Sequence, residues 1–245
     1  MKIKKTLFVG FLVSQLTAIS SVSAASRNHD QISPLTFGAN VASERFLPRL
    51  SVNGACKPYT AVDKDGNYNA GLQDSGSENG NCTASNKAQV YTRTKQVNAN
   101  THGIMYAYYF PKDNGLIFPS IGHRHDWEHV VVFVSNLNQS NERLVGAAYS
   151  AHGDVSSTTS PNKSGNQIYV NYDYHGSVTH SFQEGTSGSN SGHVLVSWGN
   201  LPTAAKNTLN NQSFGSAVVP LKDSSSRFES LIEQARSSIG ISNNF

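Results

Sequence analysis

Seven consecutive residues, Gly122 to Glu128 (GHRHDWE), place two histidines, an arginine, an aspartate, a tryptophan and a glutamate in one short run. Charged residues make up only 14% of the chain, so such density points to chemistry rather than to a solvated face. The run leads into His129, Val130, Val131, Val132, Phe133 and Val134, which read as a buried strand. Ionisable groups at the start of such a strand are costly to bury unless they are paired or hold a metal.

A strand beginning near Asp126 puts Asp126 and Glu128 on one face and Trp127 and His129 on the other. Neighbouring carboxylates repel unless one is protonated or a cation lies between them. His123, on a turn at Gly122, can fold back over them, and Asp113 of YFPKDNG ends the preceding strand. If the two strands form a hairpin, Asp113 arrives at the same end of the sheet. Asp113, His123, Asp126 and Glu128 then make an oxygen-rich set that suits Mg²⁺, Ca²⁺ or Mn²⁺ better than Zn²⁺. Two other readings stand beside the metal. In one, Arg124 pairs with Asp126 or Glu128 in a salt-bridge network; in the other, the cluster is hydrolytic. Trp127 reads as a core anchor, and His152 and His180 as hydrogen-bonded structural histidines. Ser120 and Ser181 lie near histidines but lack a nucleophile-elbow pattern.

The elements that must position this cluster are mostly strands. From Gly103 to Phe110 apolar and aromatic residues occupy both faces, which predicts a strand covered on both sides. Further strands are expected at Ala88–Arg93, Glu128–Ser135, Leu144–Ser150, Ile168–Tyr174 and His193–Trp198. Gly71–Asn86, Ser156–Asn166 and Glu184–Gly192 read as loops from their Gly, Ser and Asn content. Ser226 and Glu229 have capping-box spacing ahead of the stripe Phe228, Leu231, Ile232, Ala235 and Ile239, with Gly240 as the stop. A weaker helix follows Pro202. Many strands and few helices predict a β-sandwich with helices on its outside.

The first 24 residues read as an export signal, with Lys2, Lys4 and Lys5 before the apolar run Leu7–Val13 and small residues up to Ala24. That run falls short of the ~20 residues of a membrane span. Of the 19 Lys+Arg and 16 Asp+Glu, three lysines leave with the signal, so the remainder balances at 16 against 16. A balanced chain argues against general attraction to nucleic acid. In an oxidising compartment Cys56 and Cys82, the only cysteines, are expected to pair.

GHRHDWE, preceded by GIMYAYYFPKD, resembles the signature of the necrosis- and ethylene-inducing-peptide-like proteins, secreted cytolysins of plant-associated microbes. The likeness extends to FLPRLSVNGACKPYTAVDKDGNYNAGL, to SAHGD at Ser150–Asp154, and to VSWGNLP and FGSAVVPLKD. It implies one mainly β domain, over 25–245 once the signal peptide read over 1–24 is set aside, a sandwich akin to actinoporins and fungal lectins. It also implies one divalent cation, Mg²⁺ or Ca²⁺, held by Asp113, His123, Asp126 and Glu128, with Arg124, His125 and His180 in the ligand-binding set. The implied partners are the sugar head group of plant glycosylinositol phosphorylceramides, which leads to membrane damage and necrosis, and a plant immune receptor. No catalytic turnover is implied. A non-toxic, lectin-like member and a metal-dependent hydrolase using His125 and Arg124 are the alternatives. Two departures stand out. NGLIFPSI lengthens the segment between Asp113 and the heptapeptide, and Gly176 stands where toxic members carry an exposed tryptophan. Two cysteines match the type with a single disulfide.

Overall fold

β-Branched and aromatic runs pair here into two facing sheets, in a computed structural model that describes residues 24–115, 122–174 and 179–245. Residues 1–23, which hold nearly all of the expected export signal, most of NGLIFPSI and Gly176 lie outside the described residues. The strands are β1 (Ser26–Arg27), β2 (Arg49–Val52), β3 (Tyr68–Asn69), β4 (Gln89–Gln96), β5 (Thr101–Asp113) and β6 (His123–Ser135). They continue as β7 (Arg143–Ala151), β8 (Asp154–Thr158), β9 (Lys163–Ser164), β10 (Gln167–Tyr174), β11 (His180–Glu184) and β12 (Val194–Ser197). The helices are α1 (Val41–Arg45), α2 (Thr203–Asn211) and α3 (Arg227–Ser238).

One sheet runs β12-β4-β5-β6-β7-β8, and the other runs β11-β10-β2 with β9 beside β10. Between them Phe110 stacks flat on Tyr172 at 3.9 Å, and Phe182 stands edge-on to Tyr108 at 5.4 Å. The opposite face of the larger sheet is covered as well. Ile232 of α3 reaches Gly103, where an added Cβ would lie 3.4 Å from it. Phe214 packs on Tyr109 and Trp127. Coverage on both sides explains why every residue from Ile104 to Phe110 is fully buried, as the two-faced pattern predicts.

Most expected strands form, and the departures have physical causes. Within the expected loop Ser156–Asn166, β8 continues to Thr158 along β7 and β9 pairs with β10. Strand pairing has overridden the Ser-rich composition there. The capping box at Ser226 does not form. Ser226 adopts a left-handed φ of 50° with no side-chain cap, and Glu229 is drawn to Lys95 of β4 instead. Gly240 does end the helix region with φ 72°.

Cys56 and Cys82 are joined in a disulfide across 26 residues. By loop-closure entropy the link is worth roughly 3–4 kcal/mol. Reduction should therefore lower the unfolding free energy from equilibrium denaturation by that amount. A shift below about 1 kcal/mol would show that the loop is held by other contacts.

His193 sits edge-on to Tyr108 at 6.0 Å beside a cavity lined by Lys57, Ser85 and Ser191. Burial lowers its pKa to about 4, from an ordinary value of 6.5. As pH falls below 6.5 the unfolded chain takes the proton first, so this contribution to stability is lost between about 6.5 and 4. His193→Gln should flatten the acid limb of a melting-temperature profile, and an unchanged limb would exclude His193 as its source.

Candidate functional site

β5 and β6 form the hairpin that the sequence suggests, and the register sets Asp113 opposite His123, Phe110 opposite Asp126 and Tyr108 opposite Glu128. Asp126 and Glu128 therefore share the inner face with Tyr108 and Phe110. β6 starts at His123 rather than near Asp126, and its pairing with β7 begins only at Val130. The stretch 123–129 is thus without a β7 partner, and a crevice of about 300 Å³ opens along that edge. His123, Asp126, Glu128, Ser150 and His180 line one side. Residues of α3 and of the Ser216–Pro220 segment line the other.

His125 has φ 63°, a left-handed conformation uncommon for a non-glycine residue. This turn breaks the two-residue alternation, so His123 and Asp126 both reach the crevice. The strained residue is held by its neighbours. Tyr109 Oη lies 2.6 Å from His125 Nδ1, Phe214 stands edge-on at 5.3 Å, and the backbone of Gly71 comes close. A Cβ at Gly71 would lie 2.7 Å from the His125 ring, and φ there is 67°, so glycine is required. Burial, with Arg124 and His123 adding to it, lowers the His125 pKa to about 4.

Each acidic group is oriented by a donor. Asp126 accepts the Tyr172 hydroxyl at 2.7 Å and the Trp127 N–H at 2.9 Å. Glu128 accepts the hydroxyl of Ser150, which itself accepts the His129 N–H at 2.8 Å. Asp113 accepts the His180 backbone N–H at 2.9 Å and its Nδ1–H at 2.6 Å. His123 Nδ1–H donates to the His125 carbonyl at 2.7 Å, which leaves its Nε2 lone pair unused. Burial and the charge of Asp113 raise Asp126 to about 6, while burial and Asp126 push Glu128 well above the carboxylate range.

The sequence-predicted set therefore divides. His123, Asp126, Glu128 and His180 meet at the crevice, and Asp113 lies beneath His180, tied to it. Arg124 and His125 do not line the crevice. Arg124 donates to the Ala70 carbonyl at 2.9 Å and pairs with neither Asp126 nor Glu128. The reading of a salt-bridge network around Arg124 is corrected accordingly: the left-handed turn carries its side chain to the Gly71 loop. Sequence reasoning missed Tyr172, Ser150 and the α3 wall. Ser150 alone had a local signal, in SAHGD.

Among the described residues, no three His, Cys, Asp or Glu side chains already stand as a ready metal cluster. The donor chemistry nonetheless fits a hard cation. Three carboxylates repel one another in a buried place, and a cation among them would remove that cost.

Residues 40–235 match the necrosis inducing protein (NPP1) family. The chain belongs to that family. NLP effector protein 10 of Phytophthora capsici is 34% identical over 240 residues, covering 94% of this chain and 99% of that protein. The solved structure of NLPPya in complex with mannosamine superposes with a TM-score of 0.76 at 33% identity, over 86% of this chain and 99% of that one. Non-toxic HaNLP3 superposes with a TM-score of 0.77 at 32% identity, over 84% and 98%. The NPP1-family fold is thus the mainly β sandwich described above.

Proposed function

We propose that this NPP1-family protein is a secreted, metal-dependent cytolysin that binds the sugar head group of plant glycosylinositol phosphorylceramides and then damages the plasma membrane. The observation that carries this reading is the convergence of His123, Asp126 and Glu128 on one crevice, with Asp113 directly behind. His123 Nε2, Asp126 and Glu128 would hold one Mg²⁺ or Ca²⁺, and Asp113 would keep His180 in place. A bound hard cation supplies open coordination positions that a sugar hydroxyl or its water can fill.

The chain's own residues do the rest. Tyr172 and the Trp127 N–H orient Asp126, and Ser150 orients Glu128, so the ligand oxygens are preset rather than ordered at binding cost. The balanced charge outside the signal supports recognition of a neutral sugar rather than of a charged surface. Turnover has no part in this scheme, and no nucleic acid partner is invoked. Perception by a plant immune receptor, through the segment holding the heptapeptide, belongs to the same reading.

A second reading, a sugar binder without lytic action, is favoured by the equal likeness to a relative named as non-toxic. Leakage of plant-lipid vesicles separates the two. Leakage that needs both the glycolipid and free divalent cation supports the cytolysin. Head-group binding without leakage supports the binder, and leakage indifferent to chelator and glycolipid would exclude the mechanism.

A further inference from the structure

The crevice lining is rich in unused donors. Four buried nitrogen atoms of crevice-lining residues have no hydrogen-bond partner: Trp127 Nε1, His129 Nε2, His180 Nε2 and Arg227 Nε. A buried polar group without a partner costs about 1–3 kcal/mol. Native structures keep few of them, so a cluster around one opening implies something that binds there. His180 belongs to the carboxylate side through Asp113.

Arg227 and His129 form a distinct pair. Arg227 opens α3 and, with Leu231 and Gln234, presents one helix stripe to the crevice. None of the ion pairs among the described residues involves it. The amino end of α3 carries no side-chain cap; the Arg227 and Phe228 N–H groups are taken by the Ser224 and Lys222 carbonyls, and the helix dipole favours negative charge there. His129 is 5% exposed and lines the same opening, and its buried Nε2 has no partner among the described residues. Asp154, the carboxylate on this side, is exposed at the mouth and accepts from the Val155 N–H.

We propose that this wall is an oxyanion subsite, in which Arg227 and the Nε2–H of His129, with the positive end of the α3 dipole behind them, hold a phosphoryl or carboxylate group of the ligand. It deepens the proposed function, because it makes the ligand bipartite: a sugar at the carboxylates and an acidic group at α3. The shared chemistry is a planar or tetrahedral oxyanion, and its source is either a phosphate ester or a uronic acid.

The test titrates the full mature protein with inorganic phosphate and, separately, with glucuronate. Calorimetry and the nuclear magnetic resonance signals of the Arg227 Nε–H and the His129 ring are followed together. Saturable binding of at least one anion is expected, with shifts at both residues, and Arg227→Gln should weaken it tenfold or more. The anion that binds more tightly names the source. Asp126→Ala should keep anion binding while losing the divalent cation, so failure of the metal reading and failure of this one are separable. No saturable binding of either anion would overturn the proposal. So would binding that leaves the Arg227 and His129 signals unmoved, or equal affinity in Arg227→Gln.

Discussion

Asp126→Ala is expected to abolish binding of the divalent cation and to cut vesicle leakage by more than about a hundredfold, since loss of a group that merely orients a ligand already costs about 10–100-fold. The cooperative melting transition should survive. Asp126 sits near Asp113 and Glu128, and its pKa is raised by burial and by the charge of Asp113. Removing it from the metal-free protein relieves that repulsion, while the Tyr172 hydroxyl and the Trp127 N–H lose their acceptor. Asp126→Asn sharpens the experiment, because its one amide oxygen can still accept the Trp127 N–H, and the Tyr172 hydroxyl can turn to accept from the amide NH2, while the charge is gone. Metal loss is expected in both variants, and higher stability in the asparagine variant than in the alanine one. Leakage at the wild-type rate in Asp126→Ala would end the metal-dependent account. Loss of cooperative melting in both variants would make the cluster a structural one.

The second large effect is expected at an apolar side chain, Phe214. Phe214 is 2% exposed and packs on Tyr109, His125 and Trp127 at ring distances of 5.7, 5.3 and 5.9 Å. Phe214→Ala should cost about 3–5 kcal/mol, the usual range for a buried phenylalanine. It should also weaken cation binding, because Phe214 and Tyr109 hold His125 in the left-handed turn that brings His123 beside Asp126. Equilibrium denaturation and a cation titration on the same preparation measure both. A loss under about 1 kcal/mol would mean that the loop collapses around the gap. Unchanged cation affinity despite a full loss of stability would mean that the turn is set by β6 alone.

Much of the architecture is legible in the residues. Apolar and aromatic side chains on both faces mark β5 as a covered strand, and the loop residues after Asp113 place the hairpin that sets it opposite His123. The pair Cys56 and Cys82, the helix after Pro202 and the stop at Gly240 follow from composition and local turn chemistry. These features depend on near neighbours in the chain, so a sequence carries them.

Long-range packing decided the rest. β2 and β11 lie on either side of β10, from distant parts of the chain, and their own short runs carry too little pattern to be seen. Glu229 suits a cap by spacing, yet Lys95 of β4 captures it. GHRHDWE itself determined which ligand types are present. Their division, with His123 and Asp126 to the crevice and Arg124 and His125 away from it, came from a left-handed residue held by Tyr109, Phe214 and Gly71. A conformation that costs energy locally persists only where distant residues over-determine it, so no window of sequence around His125 could contain it.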